Sequence, residues 1–290
     1  MYTYARHIVL ALLAVSSAQP AAARTLQQVL NEGTLRVGVV LATPWTLRQP
    51  DGELAGFEVD VAKQLAADMG VKPTLLVYDF NRLIPALESG EIDLIAAGFT
   101  ITPDRALHVN FSQPYCDTGV ALATNLQKTA AVKRFEDLDS DTYSIAAVDG
   151  SVAIDLAHRL IPHAQLRVFD TVAAASAALV DGTVDGYLED EPIPTYLALE
   201  NPSKIDVPLD KPLLASRAAF AVNKGDPDFL AYLNAWIVAR DANAGVTAVK
   251  RSVVAGFERD GCFYTRKQAA EVVFSESRRS FAWGIEPAYV

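Results

Sequence analysis

Short apolar runs and amphipathic stretches alternate along most of the chain. Leu35–Val39 and Thr74–Tyr78 are β-rich runs. Between them, Phe57, Val61, Leu65 and Met69 fall on one face of a helix that Gly70 closes. A helix over Arg82–Ser89 follows. The apolar run from Ile92 to Ala97, bounded by Gly90 and Gly98, has the pattern of a strand covered on both faces in a parallel sheet. A second set repeats the alternation: strands near Val120–Thr124 and Tyr143–Val148, a helix from Ser151 to Leu160, a strand at Leu166–Phe169, a helix from Val172 to Val180 and a strand at Val184–Leu188. This predicts an α/β fold with two lobes, each a mostly parallel sheet wrapped by helices. Further on, Ala221–Phe229 supplies a strand, a turn at Gly225 and Pro227 in the first turn of a helix carrying Tyr232, Leu233, Trp236 and Ile237.

The N-terminal segment has a different pattern. Arg6 and His7 precede an apolar core from Ile8 to Val15, and small residues follow at Ala21, Ala22 and Ala23. Residues 1–23 therefore read as a secretory signal cut after Ala23, with a core too short to span a membrane. No cysteine lies near that cleavage site, so a freely soluble protein is expected in the periplasm. The formal net charge is −10, and loss of Arg6 with the signal makes it one unit more negative. Such acidity argues against nucleic acid or an anionic membrane surface as partner.

Cys116 and Cys262 lie far apart in the sequence and would meet an oxidising compartment. A bridge between them would stabilise the fold by about 4 to 5 kcal/mol through loop closure; two buried thiols are the alternative. Neither the cysteines nor the four histidines have the spacing of a metal site, and no cofactor is implied.

The candidate chemistry gathers just after the Ile92–Ala97 strand. Gly98 permits a close backbone approach, Thr100 and Thr102 offer hydroxyls, and Pro103 can open a short helix containing Asp104 and Arg105. Thr102 reads as the N-cap of that helix. Open α/β sheets bind ligands beyond the carboxyl ends of their strands, and the planar fork of Arg105 suits a carboxylate. The plainer alternative is a surface arginine paired with Asp104.

Several words of the sequence tip that balance. LRVGV at Leu35–Val39, GELAGFEVDVAKQLAADMG at Gly52–Gly70, LIPALESGEIDLIAAGFTITPDR at Leu83–Arg105 and VNFSQPY at Val109–Tyr115 are followed by GS at Gly150–Ser151, DGTVDGYLED at Asp181–Asp190 and AVNKGDPDF at Ala221–Phe229. In content and order they resemble the family 3 extracellular solute-binding proteins, the periplasmic receptors of polar amino-acid ABC importers.

The resemblance implies a type II periplasmic binding fold, with two α/β lobes joined by a two-strand hinge and a ligand cleft between them. Lobe I would comprise residues 25–116 and 217–290 and lobe II residues 117–216, with crossings near Tyr115–Val120 and Leu214–Phe220. It implies ligand contacts from Arg105 to an α-carboxylate, from Gly98 and Thr100 to the same head group, and from Asp190 to an ammonium. Ser151 and the amide of Val152 would hold the carboxylate from the opposite lobe, with Phe80 stacking against the ligand stem. For Ser151, Asp190 and Phe80 the alternatives are a helix cap, a solvated acidic turn beside Glu189 and Glu191, and ordinary core packing.

The implied partners are an amino acid or related small carboxylate and an inner-membrane ABC permease, with the receptor a monomer. One departure concerns the loop after the first strand. Val39, Val40, Leu41 and Ala42 precede Pro44 and Trp45 where many members carry an acidic or polar residue, which weakens lysine or arginine as ligand. Periplasmic dehydratases share the resemblance, but their donor glutamate is replaced by Ile193, and no nucleophile motif of the G-x-S-x-G type occurs. A non-enzymatic receptor is expected; a sensor or accessory binding protein would carry the same pocket. The tail beyond Gly261 is expected to pack as an extra helix and arm or to engage a partner.

Overall fold

A computed structural model describes residues 23–242 and two short strands at 256–259 and 262–265. In its first half, α1 (Leu26–Glu32) leads into β1 (Thr34–Val39), a small hairpin of β2 (Leu47–Arg48) and β3 (Leu54–Ala55), α2 (Phe57–Met69) and β4 (Lys72–Val77). A 3-10 turn at Phe80–Arg82, α3 (Leu83–Glu88), β5 (Leu94–Ile95) and the single-turn α4 (Pro103–Ala106) come next. The long β6 (Val109–Asn125) then runs into β7 (Ser144–Val148), α5 (Ala153–Leu160), β8 (Gln165–Phe169), α6 (Val172–Val180), β9 (Gly186–Asp190), α7 (Ile193–Glu200) and β10 (Ile205–Asp206). The chain closes with β11 (Leu214–Asn223), α8 (Pro227–Ala242) and the hairpin of β12 (Gly256–Arg259) and β13 (Cys262–Thr265).

Local chemistry sets many of these boundaries. Thr25 and Gln28 form a reciprocal capping box at the start of α1. The α2 helix stops at Gly70, whose left-handed backbone returns its N–H to the last turn. Thr171 caps α6 by accepting the N–H of Ala174, and Thr102 caps α4 by accepting that of Arg105.

One sheet runs in the order β4-β1-β5-β11-β6-β9-β7-β8, with β10 attached to β6. The outer strands on each side are parallel, β4 with β1 and β5, and β9 with β7 and β8. Between the two parallel groups, β6 and β11 run antiparallel to each other and to their neighbours. These two strands cross from one half to the other, pairing Leu214 with Val120 and Ala218 with Cys116, and the register shifts after Ala218.

Each half has its own buried cluster. Val37, Leu65, Leu94, Phe220 and Leu233 fill the first, while Leu122, Leu138, Ile145, Leu156 and Leu188 fill the second. A third cluster lies across the cleft and joins Leu83, Ile92 and Phe99 to Val148, Tyr187 and Ile193.

Two strand expectations are corrected. The run at Val120–Thr124 is the end of the 17-residue β6 rather than a separate strand. The strand expected at Val184–Leu188 is shifted to Gly186–Asp190, because its register is set by β6, with Asp190 opposite Val120. Asp190 is thus the last residue of the strand. The signal reading, apart from Ala23, and the expected helix and arm beyond residue 265 lie outside the described residues, as does the side chain of Cys262 needed to judge a bridge to Cys116. No helix among the described residues is long and apolar enough to cross a membrane.

Asp93 anchors the entry to β5. Its side chain is fully buried, yet Oδ2 accepts the backbone N–H of Arg36 at 2.8 Å and Oδ1 the Nη2 of the same residue at 2.6 Å, while Arg24 forms a second ion pair. Burial would raise this carboxyl, but the bonds from Arg24 and Arg36 outweigh it and hold the pKa below the ordinary aspartate range. A depressed carboxyl contributes stability that is present above its unfolded pKa near about 4 and is lost as pH falls through the folded value. Asp93→Asn is expected to lower the unfolding free energy at pH 7 by about 3 kcal/mol and to reduce the loss of stability below about pH 4. Urea melts at pH 7 and pH 3 check both; equal midpoints for the variant and its parent at pH 7 would count against this anchor.

Candidate functional site

The segment after β5 lies along β11. Thr100 bridges Ala218, the N–H of Ile101 donates to Arg217 and that of Ala219 to Phe99. This pairing directs the chain into α4, where Arg105 turns inward and is 8 % exposed. Its Nη1 donates to the Thr100 carbonyl at 2.8 Å and its Nη2 to the Gly150 carbonyl, in the other half, at 2.9 Å. The guanidinium carbon sits 4.3 Å from the ring centre of Phe99 and 5.1 Å from that of Phe80, within cation–π range. Burial lowers the pKa to about 10, with Asp190 and Asp104 working against it, so the group stays charged at neutral pH. Two of its five N–H donors serve these backbone carbonyls.

On the facing side, β7 ends at Val148 and the chain turns through Gly150 at φ 76°. A Cβ on Gly150 would lie 3.1 Å from the Cα of Asn81, so glycine is what lets the two halves approach so closely here. Asn81 also donates from Nδ2 to Asp149 at 2.6 Å across the same gap.

Ser151 follows, but the residue before the helix is Val152, which makes no side-chain capping bond. The buried Oγ of Ser151 has no hydrogen-bond partner. Capping is therefore not what occupies this hydroxyl. The side chain of Val152 packs against the second half's core.

Asp190 completes the set. Its Oδ2 accepts the Thr100 hydroxyl at 3.2 Å, again across the two halves, while its buried Oδ1 has no partner. The Ser216 hydroxyl faces this carboxylate and lowers its pKa, but falls outside hydrogen-bonding geometry. Burial dominates and pushes Asp190 up to about 6 despite Thr100 and Arg105. Next to it Glu189 is raised to about 7, first by burial and then by the charge of Asp190. Its two oxygens accept the Tyr187 hydroxyl at 2.7 Å and the Asp190 N–H at 2.9 Å.

Six of the seven residues singled out in the sequence lie at this meeting of the halves, Val152 instead packing against the second half's core, and Gly98 is used differently from the expectation. Its N–H donates to Glu58 Oε1 at 2.6 Å, and the ring of Trp45 lies 3.4 Å from where a Cβ would be. Glu58 is fully buried, and the same oxygen accepts the Tyr115 hydroxyl at 2.7 Å. Burial raises Glu58 to about 7 against both of these bonds. This carboxyl was missed from sequence, although an acid at position 58 in register with Ala62, Leu65 and Met69 is a polar intrusion into a buried helix face. Phe80 packs at a tilt against Phe99, its ring centre 5.5 Å away, and also lines the cavity.

A cavity of about 20 Å³ lies between the halves, with Gly98, Ser151 and Asp190 in its lining. Val40, Ala42 and Trp45 enter from the first half and Val172 and Ile193 from the second. Val172, at the head of α6, carried no sequence signal for this role.

Comparison with known proteins follows the same outline. The ABC transporter glutamine-binding protein GlnH of Bacillus subtilis (strain 168) is 32% identical over 216 residues, covering 73% of this chain and 77% of the relative. A putative binding component of an ABC transporter from Wolinella succinogenes DSM 1740, solved with lysine, superposes with a TM-score of 0.70 at 31% identity over 76% of this chain and 94% of that one. The ancestral amino acid-binding protein AncCDT-1, described as a precursor of cyclohexadienyl dehydratase, also gives 0.70, at 30% identity over 78% and 96%. The fold is accordingly the two-lobed type II periplasmic binding architecture, with β6 and β11 as the paired strands between the lobes. Residues 35–252 match the model of the bacterial extracellular solute-binding proteins, family 3, and the chain belongs to that family.

Proposed function

We propose that this chain is the periplasmic solute-binding component of an ABC importer, that it holds an α-amino acid between its lobes and that it passes the ligand to an inner-membrane permease. The observation that carries the reading is the cross-lobe cluster of Arg105, Thr100, Gly150 and Asp190, where Ser151 Oγ and Asp190 Oδ1 are among the buried oxygens without partners. Unmatched buried polar atoms are costly, and they are what a ligand's head group would satisfy. In this reading the unused N–H groups of Arg105 and the Ser151 hydroxyl hold the α-carboxylate, and Asp190 receives the α-ammonium. Val152, at the N-terminus of α5, contributes its amide and a favourable dipole. Phe80 covers the ligand stem, and Gly98 shapes the wall through Glu58 and Trp45.

Lobe I then comprises residues 25–116 with 217–242, and lobe II residues 117–216, hinged where Cys116–Val120 pairs with Leu214–Ala218, the rest of the expected 217–290 segment lying mostly outside the described residues. Closure brings together groups that an open cleft would leave to water, so a ligand bridging Arg105 and Asp190 favours the closed form. We read the site as binding and not catalysing: Ile193, where the dehydratases would place their donor glutamate, lines the cavity with a side chain that can give no proton.

Two outcomes test this. Arg105→Ala should weaken α-amino acid binding at least a hundredfold, since it deletes charge-assisted hydrogen bonds at about 1.5 kcal/mol or more each, while the far-ultraviolet circular dichroism stays that of the parent. Titration calorimetry checks it, and an unchanged affinity removes Arg105 from the site.

The second outcome concerns pH. The folded state holds Asp190 in a raised range, so ionising it costs stability as pH rises through about 6, and a ligand ammonium offsets that cost. Affinity should therefore rise with pH through about 6, broadened toward 7 by Glu189, and the rise should flatten in Asp190→Asn. A rise of the same size in that variant would remove the ammonium role.

A further inference from the structure

The head-group cluster accounts for only part of the cavity's lining, and the chemistry of other lining residues narrows the ligand. We infer that the ligand's side chain is uncharged and apolar, which rests on the amino acid reading above. The wall is made by Val40, Ala42 and Trp45 from lobe I and Val172 and Ile193 from lobe II. These five side chains carry one polar group between them, the indole N–H of Trp45. All five are nearly dry, none more than 8% exposed.

A cationic side chain placed here would need an acceptor. The carboxyl in the same lining, Glu189, already accepts the Tyr187 hydroxyl at 2.7 Å and the Asp190 N–H at 2.9 Å, and burial with the charge of Asp190 disfavours its ionised form, so it offers a cation a weakened partner. Nor are the aromatic faces open to a second cation. Phe80 and Phe99 stack on Arg105, and Trp45 packs edge-on against Phe57 at 5.5 Å and over Gly98. A carboxamide would find the indole N–H for its oxygen and no free acceptor for its nitrogen in this wall. Burying such groups without partners is unfavourable, whereas an aliphatic side chain gains from the same surface. A site lined this way discriminates against polar analogues through the bonds they would leave unmade.

The test is titration calorimetry on the full chain, unfolded in guanidinium and refolded to strip carried-over solute, with leucine, glycine, lysine and glutamine as separate titrants. Glycine reads the head group alone. Each buried methylene contributes about fourfold in affinity, so leucine should bind about a hundredfold tighter than glycine and at least tenfold tighter than lysine or glutamine. Glycine binding as tightly as leucine, or lysine or glutamine binding tighter than leucine, overturns the apolar wall and leaves the head-group reading standing. Binding by none of the four overturns both. Ile193→Ala should weaken leucine about tenfold with glycine unchanged, the glycine value certifying that lobes and head-group site are intact. Equal weakening of both titrants, or of neither, overturns the role of Ile193 in the wall and with it the inference.

Discussion

A guanidinium removed from water must be given acceptors or it opposes folding by several kcal/mol. Arg105 is removed from water, and its acceptors come from both halves of the chain: the Thr100 carbonyl from its own loop and the Gly150 carbonyl from across the cleft. Phe80 and Phe99 supply ring faces for the cation, and Asp190 supplies an opposing charge. With the lobes apart, the Gly150 carbonyl and Asp190 would withdraw, and Arg105 would turn to water or to an anion. The need of one cation for partners thus links the local geometry of α4 to the relative position of the lobes.

That geometry depends on a less visible group. Glu58 accepts the Gly98 N–H and the Tyr115 hydroxyl on one oxygen, so a helix, the loop after β5 and a crossing strand meet at one carboxyl. Burial raises its pKa to about 7, which makes those two donors the main compensation for a costly position. The loop that carries Thr100 and Arg105 is fastened at this end by Glu58 and at the other by pairing to β11. A ligand arriving there meets donors already aimed, which limits the ordering entropy that binding must overcome.

Much of this was legible in the sequence where local signals agree. The α2 and α6 helices have the bounds that Gly70 and the Val172–Val180 run imply, because caps and apolar periodicity are short-range. Strand limits were less legible, since partners set them. Pro114 and Gly119 are both unfavourable in a strand interior, yet β6 continues past Pro114 by shifting register against β11 and keeps its register at Gly119, opposite Ala215. Arg105 and Asp190 stood out because their residue types are informative. Their setting did not: Arg105 meets a backbone carbonyl 45 positions away, and every residue has a carbonyl, so no sequence pattern marks that contact. Glu58 and Val172 lay hidden for related reasons, the first inside an amphipathic helix and the second among ordinary apolar residues.

The balance of contacts across the cleft bears on how the lobes move. Among the described residues and away from the paired strands, side-chain hydrogen bonds join them from Arg105 to Gly150, Thr100 to Asp190 and Asn81 to Asp149. Each involves a charged group and is worth about 1.5 to 3 kcal/mol net where water is excluded, but the third lies exposed, where water competes for both partners. Against them stands the cost of burying Ser151 Oγ and Asp190 Oδ1 without partners, about 1 to 3 kcal/mol for each such group. These polar terms largely offset each other, which leaves the apolar cluster across the cleft as the lobes' own net attraction. In the reading proposed above, a bridging ligand would change both sides of that balance, by satisfying the two oxygens and by adding contacts that exist only when the lobes meet. Closure then follows occupancy through differential binding, and a permease that reads the closed shape thereby reads the presence of cargo.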